Sequence, residues 1–303
     1  MWYTGPGIVF TWKGMEMTHI LLFAGVAAFC GAESAGTFTL WQLPEQGPSQ
    51  MQSHVIRTAN GRVMMVDGGN QVEAPYLRGF LAALGNRVEV WFVSHPHWDH
   101  ADALIEILKD PAGITIGKIV ASLPEAEWLE EHCNGDTVPQ VYALAAGTQS
   151  LGIPLHDAVL GETFEVDGVQ VRILGVRNPE IIANPINNSS MVWRMWDRQK
   201  SVLFTGDIGS EAGDKLLHGP FRDELRSDYV QMSHHGQTGA NEAFYIAAAP
   251  RFCLWPTPLW LWDNDNGGGK GSGPWTTLET RAWMERLGVE KHFVSKDGLQ
   301  RID

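Results

Sequence analysis

Hydrophobic positions along this chain alternate between two periods. Short runs that are apolar at every second position, or apolar throughout, recur between segments with apolar residues three and four apart. That alternation predicts an α/β fold. Thr37 to Leu43 and His54 to Arg57 read as strands. Asn60-Gly61 turns the second of these into Arg62-Val63-Met64-Met65-Val66, because Asn and Gly tolerate the positive φ that a tight hairpin turn requires. Asp67-Gly68-Gly69 ends that strand, Ala74 to Leu84 has helical spacing, and Val88 to Val93 reads as a buried strand. The second half repeats the theme. Thr163 to Val166 pairs with Val169 to Leu174 around Asp167-Gly168, and Met191 to Trp196 pairs with Ser201 to Thr205. Helices are expected over Glu211 to Leu217, Glu242 to Ala249 and Thr277 to Leu287, with strands at Tyr229 to Met232, Arg251 to Trp255 and Lys291 to Val294. No repeat of 20–50 residues and no low-complexity linker interrupts the pattern, so residues 36–303 read as one domain made of two similar βα halves.

The first 35 residues stand apart. Ile20 to Phe29 is a short apolar run followed by Cys30-Gly31-Ala32. It falls short of the roughly 20 residues that span a bilayer. Its length and its small-residue ending match a secretory leader over residues 17–32, although Lys13 is the only basic residue ahead of it. Export, periplasmic or secreted, is therefore the expectation; a buried helix in a cytoplasmic protein is the alternative.

Charge narrows the partners. The formal net charge is −13, and no Lys/Arg cluster appears anywhere. Proteins that grip nucleic acid normally present a basic face, because phosphate neutralisation supplies much of the affinity. A small-molecule or cell-envelope substrate suits this chain better than a nucleic acid. Three separated cysteines, Cys30, Cys133 and Cys253, form no Cys-x-x-Cys pair and argue against a zinc ribbon or a thioredoxin-like motif.

The candidate chemistry lies in His95-Pro96-His97-Trp98-Asp99-His100, which begins two residues after a predicted strand. Ligands commonly sit at that edge of an α/β sheet. A loop there can direct alternate side chains into one pocket, where imidazole suits zinc and related ions and carboxylate adds a hard oxygen. Two further groups follow strands: Asp207, in Leu203-Phe204-Thr205-Gly206-Asp207, and the adjacent pair in His234-His235-Gly236. Each alone would be ordinary.

In this order, Asp67-Gly68-Gly69, His95 to His100, Thr205-Gly206-Asp207 and His234-His235-Gly236 resemble the metallo-β-lactamase superfamily across residues 37–303. The resemblance implies a four-layer αββα sandwich with two divalent metal ions at the edge of two facing sheets. Zinc is the first expectation for those ions, with manganese or iron as alternatives. By the same resemblance His95 and His97 hold one ion, Asp99 and His100 the other, Asp207 bridges both and His235 completes the second site. His234 is then left near the substrate, though either of the two adjacent histidines could be the ligand. Asp99 and His234 are the catalytic candidates, and Asp67 braces the histidine loop.

One departure shapes the expected chemistry. Many relatives carry a further histidine between the first cluster and the bridging aspartate, and here only His132 and His156 fall in that interval, neither in a fitting context. The corresponding stretch reads Asn187-Asn188-Ser189-Ser190-Met191-Val192. It is similar to an Asn-x-x-Ser-(Leu/Met)-Val signature in the competence-related branch, which includes the hydrolase domain of DNA-uptake channel proteins, and in phosphorylcholine esterases. Asn187 and Ser190 would line the site. The implied reaction is metal-dependent hydrolysis of a phosphomonoester or phosphodiester. β-Lactam, lactone or other amide and ester hydrolysis, or a non-catalytic metal-binding role, are the alternatives.

Three other features carry less. Gly267 to Ser272 lacks the spacing of a phosphate loop and reads as a flexible loop. Asp263 to Gly267 lacks the twelfth-position Glu of a calcium loop. The aromatic stretch Leu254 to Trp262, part of a total of 13 Trp, is better explained by packing than by a cation cage.

Overall fold

The computed structural model describes residues 38–303, so the leader expected over residues 17–32 and Cys30 lie outside the described residues. The first sheet is built from β1 (Phe38–Gln42), β2 (Ser53–Thr58), β3 (Val63–Asp67), β4 (Arg87–Val93), β5 (Thr115–Ala121) and β6 (Leu155–Asp157). The second is built from β7 (Thr163–Val166), β8 (Val169–Gly175), β9 (Val192–Trp196), β10 (Ser201–Phe204), β11 (Tyr229–Gln231), β12 (Phe252–Trp255) and β13 (Lys291–Val294). The last strand, β14 (Gln300–Ile302), returns to the first sheet, which runs β14-β1-β2-β3-β4-β5-β6.

The two sheets have the same plan. Counting inward from β14 in the first and from β7 in the second, three antiparallel pairings are followed by three parallel ones. The switch from antiparallel to parallel falls at β3/β4 in one sheet and at β10/β11 in the other. Antiparallel partners need only a hairpin, whereas parallel partners need a crossover, so helices collect beside the parallel portions. These crossover helices are α1 (Ala74–Ala83), α2 (Trp98–Lys109), α3 (Ala126–Cys133) and α4 (Val138–Leu151) in the first half. The short α5 (Pro185–Asn188) instead joins the antiparallel β8 and β9. The crossovers of the second half are α6 (Ser210–Leu217), α7 (Glu242–Ala248), α8 (Leu259–Trp262) and α9 (Thr277–Arg286).

Three apolar clusters define four layers. Leu40, Ile56, Met64, Val66, Val90 and Phe92 of the first sheet face Val171, Ile173, Trp193, Met195 and Phe204 of the second. Phe92, Trp193 and Phe204 stack in series with ring centroids 5.2 Å apart at each step. Outside the first sheet, Leu77, Leu81, Leu104 and Leu108 of α1 and α2 cover Val63, Met65 and Trp91. Outside the second, Ala212, Phe244, Tyr245 and Met284 cover Leu203, Val230 and Trp255. This is the expected αββα sandwich, and both predicted hairpins of the second half and the Asn60-Gly61 hairpin form as read.

The structure adds detail where the pattern gave no element. β5, α3, α4 and β6 occupy residues 115–157. The Gly267 to Ser272 segment is closed on itself rather than open: Asp265 accepts from the Gly267 and Gly269 amides, and Asn264 spans it to Gly273 and Trp275. Among the described residues, no helix is long and apolar enough to cross a membrane.

Candidate metal centre

The histidine run corrects one expectation, because only its first half is loop. β4 ends at Val93, Ser94 to His97 are irregular, and α2 starts at Trp98. His97 is the residue that precedes the helix, and its carbonyl accepts from the amides of His100 and Ala101. Asp99 therefore sits in the first helical turn, where a negative charge is favoured by the helix dipole. The extended pair His95-His97 and the helical pair Asp99-His100 project into the same space from two backbone geometries.

Asp67, at the end of β3, holds this arrangement. It is fully buried and takes hydrogen bonds from four donors. The Ser94 amide reaches Oδ1 at 2.7 Å, while the Ser94 hydroxyl, Gln52 Nε2 and His100 Nδ1 reach Oδ2 at 2.8, 2.9 and 2.9 Å. His100 therefore keeps a proton on Nδ1 and turns Nε2 into the pocket. His95 is set the same way: its Nδ1 lies 3.1 Å from the Ser94 hydroxyl, which has already given its own hydrogen to Asp67.

The second sheet contributes from the equivalent positions. After β10, Gly206 takes a positive φ of 54° between the two halves, where a Cβ would lie 2.8 Å from that of Ser190 and 3.0 Å from that of Ser94. Asp207 follows, its amide donating to the Ser190 hydroxyl at 3.0 Å. After β11, His234 and His235 both adopt left-handed conformations, with φ of 50° and 56°. Such conformations cost of order 1–3 kcal/mol at a non-glycine residue and persist where surrounding contacts fix them. Here the Ser233 amide donates to Tyr245 Oη and Thr257 Oγ1 donates to the His235 carbonyl. His235 Nδ1 donates to the Pro256 carbonyl at 2.8 Å, so its Nε2 also faces inward.

These groups converge. Ligand atoms of His95, His100 and Asp207 lie within 4.8 Å of one another, as do those of Asp99, His100 and His235. His97 Nδ1 is 2.9 Å from His95 Nε2, at the rim of the first of these sets. Asp207 Oδ2 stands 3.3 Å from His100 Nε2, 3.5 Å from His235 Nε2, 3.9 Å from His95 Nε2 and 4.0 Å from His234 Nε2. Burial alone would lift the carboxyl of Asp207, but His100 and His235 outweigh it and hold Asp207 well below the usual carboxylate range. Burial, reinforced by His100, keeps His95 neutral. Burial also pulls His100 down, yet Asp207, Asp67 and Asp99 raise it well above its ordinary value.

Buried polar atoms almost always have partners, and an exception calls for an explanation. Three of the exceptions here are His100 Nε2, His235 Nε2 and Asp207 Oδ1. All three belong to the converging set. Imidazole nitrogens and carboxylate oxygens left bare in one pocket are the donor set of a divalent metal centre. A model of the metallo-β-lactamase superfamily matches residues 47–241, well over half of the chain. The chain belongs to the metallo-β-lactamase superfamily.

No curated protein matches at the level of sequence. Among solved structures, the metallo-β-lactamase fold protein YhfI from Bacillus subtilis is similar with a TM-score of 0.53 at 11% identity, covering 88% of this chain and 100% of that one. CmlA, a diiron β-hydroxylase from Streptomyces venezuelae, gives a TM-score of 0.53 at 13% identity over 88% of this chain and 54% of its own length. Unliganded yeast PDE1 gives 0.49 at 13% identity, over 86% and 97%. The first two are likenesses of fold.

The remaining expected residues fall around this superfamily pocket. Asn187 lies within α5 with its Nδ2 3.3 Å from His234 Nε2, and its buried Oδ1 has no partner. Ser190 touches the site through the Asp207 amide. His132 packs on Trp128 and His156 bonds Glu162, so neither joins the groups that could hold a metal. The aromatic stretch is packing, as expected. Trp255 is fully buried, Trp262 lies against it and under Arg281, and Trp260 meets Trp275. Sequence reasoning missed Ser94, Gln52, Gln50, Gln237 and the Pro256 carbonyl, because isolated polar residues in loops carry no pattern.

Proposed function

We propose that this protein is a metal-dependent hydrolase that uses two divalent ions, with zinc the first candidate, on a phosphomonoester or phosphodiester. The observation that carries this reading is the convergence of bare ligand atoms from both sheets on Asp207. His95, His97 and Asp207 would hold one ion, and Asp99, His100, His235 and Asp207 the other. Bound ions of this kind supply Lewis acidity and activation of water at neutral pH.

The chain's own residues prepare that chemistry. Asp67 and Ser94 fix the His95 and His100 tautomers, and Pro256 fixes that of His235, so that each ring offers Nε2. Asp207 brings a full negative charge between the two sets. His234 and His235 divide by access: the His235 side chain is 0% exposed, whereas that of His234 is 19% exposed. This supports His235 as a ligand and His234 as the group that meets a substrate oxygen. His234 Nδ1 is tied to the Thr238 carbonyl and its Nε2 faces Asn187, so the ring is oriented before substrate arrives.

Asn187, rather than a third histidine, stands beside His234 and would border the first position. A neutral amide leaves that position with fewer strong ligands and more room for substrate oxygens, which favours phosphoesters over lactams. The Asn187 to Val192 stretch supports kinship with the competence-related and phosphorylcholine esterase branch, and the charge of −13 favours a small or cell-envelope substrate over nucleic acid.

The test is a turnover panel on metal-loaded protein: bis-p-nitrophenyl phosphate, a phosphorylcholine ester, single-stranded DNA and a chromogenic cephalosporin. Metal-dependent turnover of a phosphoester is expected. Turnover of the cephalosporin alone would overturn the substrate class, and stoichiometric metal without any turnover would favour a binding role. On the best phosphoester found, His234→Ala should lower kcat by 10²-fold or so, in the range of acid–base contributions, while bound metal is unchanged.

A further inference from the structure

Asp99 carries a clasp that the metal-ligand set does not include. Gln50, in the connection between β1 and β2, donates from Nε2 to Asp99 Oδ2 at 2.9 Å. Gln237, in the turn after His235, donates from Nε2 to Gln50 Oε1 at 3.2 Å. The two glutamines are 187 positions apart and come from opposite halves of the sandwich. Gln50 is anchored by Asn70 Nδ2, which donates to its carbonyl at 2.9 Å, and the Gln52 amide donates to the Asp99 carbonyl at 3.0 Å. Asp99 and Gln237 are only 3% and 8% exposed, so these bonds form largely away from water.

The polarity of the clasp follows from chemistry. An ionised carboxylate only accepts hydrogen bonds, so Gln50 must present its NH₂ to Asp99. Its oxygen then faces Gln237, which must also present NH₂. Each amide orientation dictates the next, beginning at Asp99. The bonded oxygen, Oδ2, is the one 3.2 Å from His235 Nε2. Without the clasp, the Asp99 carboxylate is free to turn about its last torsion, a broad and weakly restrained one.

We infer that Gln50 and Gln237 are positioning residues for the second metal position: Gln237 sets the amide orientation of Gln50, and Gln50 holds Asp99 turned toward His235. The inference rests on the two-metal reading above. Outer hydrogen-bond partners of metal ligands are typically worth 10–100-fold in metal affinity.

The full chain, loaded with zinc, is titrated with a competing fluorescent zinc chelator as wild type, Gln50→Leu, Gln237→Glu and the double variant. Melting of the metal-free proteins is followed alongside. One of the two zinc affinities is expected to fall 10–100-fold in Gln50→Leu, with the other unchanged. Gln237→Glu should fall similarly, because an accept-only group forces the Gln50 amide to turn, even though its added negative charge would by itself attract a cation. The double variant should be no worse than Gln50→Leu, since both act on one chain of bonds. Unchanged affinities in the variants, or losses at both positions together with lower melting of the metal-free protein, would overturn the inference while leaving the two-metal reading intact. A wild type that holds fewer than two ions would overturn that reading and the inference with it.

Discussion

Asp67 and Asp207 occupy the same place in the two halves of the sandwich and have opposite fates. Asp67 ends, and Asp207 closely follows, the strand at which its sheet switches from antiparallel to parallel pairing, and each is at most 1% exposed. Asp67 is saturated, with four donors on its two oxygens. Asp207 has one oxygen with no partner, and the other faces four imidazoles at 3.3 to 4.0 Å. A carboxylate whose lone pairs are filled by the protein organises its neighbours; one left bare among imidazoles is free to take a cation. The duplicated architecture supplies two equivalent carboxylates, and the surrounding donors decide which of them is available to a metal.

The sharpest way to break this comparison is Asp207→Asn. It keeps the shape but removes the charge between the two positions. Both ions should bind more weakly, and phosphoester turnover should fall on the order of 10³-fold, equivalent to the several kcal/mol a metal centre contributes. Steady-state rates at saturating metal would show it.

Next in size is Gly236→Ala, which tests whether the second half depends on backbone geometry. Gly236 has a φ of 79°, and a Cβ there would lie 2.3 Å from Trp255 Cζ3. Trp255 is fully buried and cannot yield cheaply. Overpacking and left-handed strain together should cost about 3 kcal/mol and displace His235. Denaturant unfolding, with zinc affinity measured in parallel, should register both effects.

Asp67→Asn should do less. The amide keeps some of the hydrogen bonds but presents an NH₂ where an oxygen had accepted, so the Ser94 and His100 orientations loosen. Metal affinity is expected to fall 10–100-fold, with Asp207 and the second-sheet ligands still in place. If Asp67→Asn proved as damaging to turnover as Asp207→Asn, the division between bracing and ligating carboxylates would not hold.

The same contrast explains what the sequence made legible. The first half writes its candidate ligands as one contiguous run, His95 to His100, directly after a buried strand, and such density is visible without a structure. The second half spreads its candidate ligands over separate turns. Asp207 follows a glycine, as many turn residues do, and gains meaning only from the imidazoles that converge on it. That His234 and His235 are both left-handed, and so point differently, follows from Tyr245, Pro256 and Thr257. Those contacts are tertiary and leave no local pattern. The duplication was legible as two similar βα halves, but the shared strand order of the two sheets was not, because matching strands need only apolar inner faces, not similar residues. The Gln50–Gln237 contact joins lone polar residues whose meaning depends on the closure of the two halves.

If the halves close over two ions with Asp207 between them, anomalous scattering at the metal absorption edge, from crystals of metal-loaded protein, should give two peaks that share Asp207, one bounded by His95 and His97 and the other by Asp99, His100 and His235. A single peak, or peaks that do not touch Asp207, would show that the halves do not close over a shared pair.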